Sequence, residues 1–458
     1  MFAKETYIAR RAKLKQTIGS GLLLFLGNDE SGMNYADNTY HFRQDSTFLY
    51  FFGLPYAGLS AIIDIDNNRE IIFGDELTID AIVWMGTQPT LKEKSEAAGI
   101  TEVRPFKEID TYLKNAQQKG QPIHYLPTYR AEHQIKLFQW LGVVPGAEKP
   151  SVPFIMGVVN QRNYKSEEEI AEIEKACIVT ADMHLAAMRT VRPGIRESEV
   201  AAAVAEVAYA NNYELSFPII ATINGQTLHN HDHSNLIKSG DMLLLDAGAE
   251  TEMGYAGDMS STIPADAKFT TRQREIYDIQ VAAHEAAVAA LRPGIPFVDV
   301  YELSCKVIME GLKELGFVKG DPMEAVKAGA HAMFMPCGLG HMMGLDVHDM
   351  ENLGEVYVGY DGQPKSTEFG RKSLRLGRKL EPGFVLTIEP GVYFIPELID
   401  MWRAEKKFTE FINYDKLFTY KDFSGIRNEE DYLITENGAR LLGKKIPVRA
   451  EEVEAIRK

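Results

Sequence analysis

Cysteine is scarce in this chain: Cys177, Cys305 and Cys337 are the only three in 458 residues, far apart and odd in number. A disulfide framework is therefore not expected, and a reducing cytoplasm suits the sequence. Tryptophan is equally rare, at three. Trp84, in the first third of the chain, is expected to fill a core rather than to face a substrate. No apolar run is long enough to span a bilayer, and the opening MFAKETYIARRAKLK has no apolar segment of the kind a secretory leader carries. A membrane partner is not expected. Basic residues are outnumbered, 49 Lys and Arg against 65 Asp and Glu, which leaves a net charge of −16 and no basic block. Nucleic acid is not an expected partner either.

What is present reads as a globular protein too long for one ordinary core, so two or three domains are expected. GLLLFLGN (21–28), LSAIIDID (59–66) and EIIFG (70–74) are apolar runs bounded by Gly, Asn or Asp and predict strands. A helical stretch over 107–118 falls beyond them, so 1–160 reads as an α/β domain. The composition shifts at NQRNYKSEEEIAEIEKAC. There Ser166 and Glu169 form a capping box, and Ile170, Ile173 and Cys177 continue one helical face. The second domain is placed at 161–458, with no Gly/Ser or Pro-rich linker before it.

Two echoes run through that second region. Arg-Pro-Gly-Ile occurs at 192–195 and again at 292–295. GDMLLLDAG (240–248) and GFVLTIEPG (383–391) share Gly, then Leu three residues on, an acid six on and Gly eight on. Two copies of a helix–helix–strand unit, each ending a strand on an acid, imply an internal pseudo-two-fold that brings Asp246 and Glu389 to one centre.

Four segments carry an acid or a histidine where an apolar strand or Gly-rich turn meets a bend. They hold Asp246 and Asp258, His341 and His348 in GLGHMMGLDVHD, Glu389 in LTIEPGVYF, and Glu429 in SGIRNEEDYLI. A buried lone carboxylate is costly unless it is paired or holds a metal. Four carboxylates with one imidazole suit two hard divalent cations better than one zinc, which takes about four ligands richer in His or Cys. Oxygen-dominated sites favour Mn²⁺, Mg²⁺ or, with one nitrogen, Co²⁺, and Zn²⁺ is a further candidate. Such a pair activates water at neutral pH and clamps a tetrahedral intermediate, which is the chemistry of hydrolysis.

The order Asp246, Asp258, His341, Glu389, Glu429 resembles the ligand signature of the pita-bread dinuclear metallopeptidases, a family that includes methionine aminopeptidase, aminopeptidase P and prolidase. FRQDSTFLYFFGL (42–54) resembles the N-terminal domain of the aminopeptidase P and prolidase branch, and 372–423 looks prolidase-like. The likeness covers nearly the whole chain. It implies an α/β N-terminal domain followed by an α+β pita-bread catalytic domain, pseudo-two-fold, with helices packed on a curved antiparallel sheet. It also implies a homodimer or homotetramer acting on peptides with proline at the second position. By position, Asp246 would chelate one ion, Asp258 and Glu429 would bridge both, and His341 and Glu389 would hold the second. Glu389 would also shuttle the proton. His229 would contact substrate, and His348 would stabilise the carbonyl or oxyanion. Arg427 would brace Glu429, Arg375 would pair with a substrate carboxylate, and Tyr393 would offer proline an apolar wall. The resemblance points to a Xaa-Pro aminopeptidase, with a Xaa-Pro dipeptidase (prolidase) as the alternative. A creatinase-type hydrolase and a metal-free binding protein are more remote, since all five ligand positions are filled.

Three departures stand out. The Asp246–Asp258 spacing is one residue longer than in many relatives. Ser261 stands where relatives often carry Arg, and Cys337 where many have His. His229, His231 and His233 alternate, as a three-His zinc site on a strand would require, but Asn230 and Asp232 between them suggest a turn. Cys337, beside Gly338-Leu339-Gly340, reads as part of a packed turn rather than as a nucleophile.

Overall fold

A computed structural model describes residues 1–457. The chain divides into two compact units, one formed by Met1–Arg162 with Met350–Tyr357, the other by Asn163–Asp349 and the chain from Val358 onward.

The first unit is built on a mixed five-stranded sheet: β1 (Leu22–Leu26), β2 (Ser60–Asp64), β3 (Arg69–Phe73), β4 (Glu102–Arg104) and β5 (Ile123–His124), in the order β4-β3-β2-β1-β5. The three strands predicted from apolar runs form its centre. On one face Leu22, Leu24, Ile62, Ile71 and Phe73 pack against Ile109 and Leu113 of helix Glu108–Gln118 and Leu137 of helix Ala131–Leu141. On the other, Phe25 meets Phe51, Phe52 and Phe154 at ring distances of 5.1–5.4 Å. Phe51 and Phe52 belong to helix Ser46–Phe52, which Asp45 caps by accepting from the Phe48 amide at 2.9 Å. Trp84 departs from expectation: it is 86% exposed, on a helix, Ile79–Met85, that buries no residue. That helix turns Ile79, Val83 and Met85 outward as well.

The second unit contains ten further strands: β6 (Glu214–Leu215), β7 (Ile220–Thr222), β8 (Met242–Ala247), β9 (Ala249–Glu250), β10 (Met259–Pro264), β11 (Val385–Ile388), β12 (Gly391–Phe394), β13 (Ser424–Arg427), β14 (Glu430–Thr435) and β15 (Gly438–Leu441). They pair antiparallel as β10-β8-β7, β11-β14-β15, β12-β13 and β6-β9. A bridge between Ser260 and Glu429 joins the first two groups. Helices Glu167–Thr190 and Thr271–Ala290 lie against the sheet, the former under β8 and β10, the latter under β11, β12 and β13.

The pseudo-two-fold is visible in hydrogen bonds. Each half opens with a helix pair, Glu167–Thr190 with Glu197–Ala210 and Thr271–Ala290 with Phe297–Glu314. Between the helices of each pair lies the Arg-Pro-Gly-Ile turn. The Gly194 amide donates to Ile237, whose own amide donates to Ile195; Gly294 donates to Leu380, whose amide donates to Ile295. Ile237 precedes Asp246 by nine residues, and Leu380 precedes Glu389 by nine. Each turn thus sets the register of the strand that ends on its half's acid. The capping box expected at Ser166 and Glu169 is present, and Thr270 with Gln273 repeats it at the start of the second half. Among the described residues no helix is long and apolar enough to cross a membrane.

Candidate metal centre and active-site cavity

Antiparallel register places the acids. Asp246 near the end of β8 faces Ser260 of β10, and Ser260 in turn bridges to Glu429, just before β14. Residues directly opposite one another share a sheet face, so Asp246, Ser260 and Glu429 form a row. Asp258 sits two residues before Ser260 and returns to the same face. From the second half, the Thr387 amide donates to His341 and the Glu389 amide to Leu339, at 3.0 and 2.8 Å, which lays 339–341 beside β11.

Asp246, Asp258, His341, Glu389 and Glu429 all border one cavity of about 580 Å³, together with His229, His348, Arg375 and Arg427. His341 Nε2 lies 3.4 Å from Asp258 Oδ2 and 3.6 Å from Glu389 Oε1. Donor atoms of Asp258, His341 and Glu429 fall within 4.8 Å of one another. His341 Nδ1 bonds the Met342 carbonyl at 3.1 Å. A carbonyl can only accept a hydrogen bond, so Nδ1 carries the hydrogen and donates, which fixes the tautomer and leaves Nε2 with its lone pair toward the acids.

Asp246 Oδ1, Asp258 Oδ1 and Glu429 Oε1 are buried and meet no hydrogen-bond donor. Buried polar atoms are ordinarily satisfied. Three bare carboxylate oxygens beside an imidazole lone pair therefore fit the donor set of an oxygen-preferring dication. Electrostatics agree. Burial, then the nearby acids, hold Asp258 and Glu429 well above the usual carboxylate range. Burial pushes Glu389 up to about 7 despite His341 and Arg427. Without cations the cluster holds protons in their place.

Arg427, itself buried, ties the row together. Its Nη2 donates to Asp246 Oδ2 at 2.5 Å, Nε to Ser260 Oγ at 2.9 Å and Nη1 to the Tyr393 hydroxyl at 3.0 Å. Ser260 Oγ donates onward to Glu429 Oε2 at 2.8 Å. Arg427 thus reaches Glu429 through Ser260 and grips Asp246 directly.

One expectation needs correction. Tyr393 does not line the cavity: it is fully buried beside Ile220 and Leu244, with its hydroxyl on Arg427. The apolar walls are Phe217, Pro218, Ile220, Leu228, Pro336 and Val347. The alternating histidines lie in a loop without strand structure. His229 and His231 face the cavity, whereas His233 Nε2 turns away to the Ile219 carbonyl at 3.0 Å, so no three-His site forms. Cys337 borders the cavity, but burial pushes its thiol up to about 12, which leaves no thiolate for attack at neutral pH. His348 packs edge-on to His341 with ring centroids 4.3 Å apart. Burial, then the neighbouring His341, lowers its pKa to about 2, so it is a neutral N–H donor and not an imidazolium. Ser261 meets His184 Nδ1 at 2.9 Å, and His184 Nε2 reaches the Ala247 carbonyl at 3.1 Å, a buried cross-link between β8 and β10. Ser260, Thr387 and Asp431 were not singled out in the sequence, although Asp431 sits two residues past Glu429, where strand alternation returns to the same face.

A pseudo-symmetric antiparallel sheet that gathers acids from both halves around one hollow is the architecture of a metal-dependent hydrolase. The chain belongs to metallopeptidase family M24, whose model matches residues 171–436. The model of the aminopeptidase P N-terminal domain matches 7–124. Among curated relatives, the chain is 31% identical to the Xaa-Pro aminopeptidase of Escherichia coli, covering 99% of this chain and 98% of the relative. It is 28% identical to the human Xaa-Pro dipeptidase, covering 98% of this chain and 91% of that one. Among solved structures, zinc-substituted E. coli aminopeptidase P in complex with product superposes with a TM-score of 0.81 at 29% identity, covering 100% and 98% of the two chains. Proline aminopeptidase P II from Yersinia pestis superposes at 0.82 and 27% identity, covering 100% and 99%. The chain is a metal-dependent peptidase with the pita-bread fold.

Proposed function

We propose that this peptidase is a Xaa-Pro aminopeptidase that releases an N-terminal residue from peptides with proline at the second position. Two divalent cations would be held by Asp246, Asp258, His341, Glu389 and Glu429, with Mn²⁺ as the native ion and Co²⁺ or Zn²⁺ able to replace it. The observation that carries the reading is the set of bare, buried oxygens on Asp246, Asp258 and Glu429 around His341. When bound, the ions supply Lewis acidity that activates water and polarises the scissile carbonyl.

The side chains do the rest. Glu389, opening on the cavity, takes a proton from the attacking water and passes it to the departing proline nitrogen. His348, neutral, donates N–H to the oxygen on which charge develops. His229 contacts substrate at the cavity wall. Arg427 holds Asp246 and, through Ser260, Glu429 in place. Proline lacks an amide hydrogen and has a fixed φ, which spoils the extended pose most peptidases require. A site that grips the carbonyl needs no such hydrogen, and Phe217, Pro218 and Leu228 offer the ring an apolar surface.

One observation favours dipeptidase activity as a second reading: Arg375 borders the same cavity and can pair with the carboxylate of a substrate that ends at proline. Steady-state kinetics on Xaa-Pro and Xaa-Pro-Yaa peptides, after chelation and Mn²⁺ reloading, separate the two. Turnover of the tripeptide is expected; turnover of the dipeptide alone would replace the first reading by the second. Elemental analysis showing no bound metal after careful purification would instead favour the creatinase-type or binding-protein readings.

The proposal extends to a domain boundary near residue 160, a homodimer or homotetramer, and peptide rather than nucleic-acid or membrane partners. A cytoplasmic location is supported by three free cysteines.

A further inference from the structure

Two polar side chains lie fully buried beneath the cluster and directly opposite each other, Thr387 of β11 and Asp431 of β14. Thr387 Oγ1 accepts the main-chain N–H of His341 at 3.2 Å and lies 3.5 Å from Glu389 Oε1. Asp431 Oδ2 accepts the main-chain N–H of Asp258 at 3.1 Å and the Cys177 thiol at 3.1 Å. Asp258 immediately precedes β10, and His341 precedes the bridge between Met342 and Leu386. The strand ladder therefore supplies no partner for either amide, and a buried amide must find one. We propose that Thr387 and Asp431 are a pair of positioning residues, each fixing the backbone of one metal-binding side chain, His341 and Asp258, one from each half of the pseudo-symmetric site.

The inference rests on the metal-centre reading above. A side chain inherits its aim from its backbone, and outer partners of metal ligands govern affinity by roughly 10–100-fold. Acceptor chemistry, not bulk, is the property each position supplies. Thr387→Ser and Asp431→Asn keep an acceptor; Thr387→Val and Asp431→Ala remove it. Thr387→Val keeps the side chain's shape and loses only the hydroxyl's contacts, to the His341 amide and to Glu389 Oε1, so it carries the test alone should Asp431→Ala fail to fold.

The experiment is calorimetric titration of Mn²⁺ into the chelator-stripped full chain, native and variant, with circular dichroism to establish folding. Ser and Asn variants are expected to bind within about threefold of native, and Val and Ala variants at least about tenfold more weakly. In the weakened variants kcat at saturating metal falls while KM for peptide holds. If Thr387→Val binds Mn²⁺ as Thr387→Ser does, and Asp431→Ala as Asp431→Asn does, the positioning role is overturned. If native protein itself binds no Mn²⁺, the metal-centre reading falls first, and the inference with it.

Discussion

Arg427 shows how much one side chain can organise. Its guanidinium spends three nitrogens on three partners, Asp246, Ser260 and Tyr393, in a geometry that only a planar fork supplies. Close packing enforces it: a Cβ on Gly391, across the strand pair from Arg427, would fall 2.2 Å from the Tyr393 hydroxyl. Arg427→Met leaves the buried Asp246 without its counter-charge and is expected to destabilise the metal-free protein by about 3–5 kcal/mol. Activity is expected to drop by at least about tenfold. Arg427→Lys keeps the charge but cannot make all three bonds, so it recovers stability in urea unfolding without recovering kcat. Full activity in the Lys variant would show that charge alone matters. Arg427 and Tyr393 also mark what sequence could and could not convey. That both belong near the site was implied by the family resemblance; that Tyr393 serves Arg427 from inside the core was not, because orientation depends on which sheet face is covered.

Local elements were the most legible part. The central strands of the first unit, the helix over Glu108–Gln118 and the capping box at Ser166 follow from apolar runs and cap chemistry that need no distant partner. The Arg-Pro-Gly-Ile repeats were legible because the turns demand glycine: Gly194 and Gly294 have φ of 92° and 83°. A Cβ at either would meet nothing within 4 Å, so strain would come from the backbone alone. Gly194→Ala and Gly294→Ala are therefore each expected to cost about 1–2 kcal/mol, with equal urea-midpoint shifts in the two halves. Unequal shifts would mean the turns are not equivalent. Trp84 was misjudged for the opposite reason: a large ring argues for burial only if something covers it, and the short helix Ile79–Met85 has no cover within its unit. The insertion at 395–423 lies apart from the site: its residues 411–413 are stitched to 317–319, and no residue of 395–423 borders the cavity. Substrate choice should follow Arg375 instead. Arg375→Met is expected to raise KM for a Xaa-Pro dipeptide by about tenfold or more, whereas Met401→Lys, on the exposed face of the insertion, leaves the dipeptide-to-tripeptide ratio unchanged.

Across the molecule, the centre is a store of like charge. Glu389 titrates near 7 in the metal-free fold against 4.5 ordinarily, and Asp258 and Glu429 are raised too. An acid whose folded pKa is raised contributes stability that is complete below its unfolded pKa and is lost as pH rises through the folded one. Metal-free protein should therefore lose melting temperature as pH climbs from about 4.5 to 7. Mn²⁺ at 100 times its dissociation constant adds about 2.7 kcal/mol; at a fixed Mn²⁺ concentration the gain should widen with pH because protons compete for the same oxygens. Scanning calorimetry with and without Mn²⁺ measures the gap; a gap that narrows with rising pH would contradict the arrangement. That Asp246, Asp258, His341, Glu389 and Glu429 would meet was readable in outline because each sits in its own recognisable stretch. Their supports, Ser260, Thr387 and Asp431, were hidden because their roles exist only once strands from both halves lie side by side.

The division of the cluster between halves also sets a timetable for biosynthesis. Asp246 and Asp258 leave the ribosome long before Glu389, Glu429 and Arg427 exist to answer their charge. These five residues, all bordering the cavity, can therefore meet only after synthesis has almost finished.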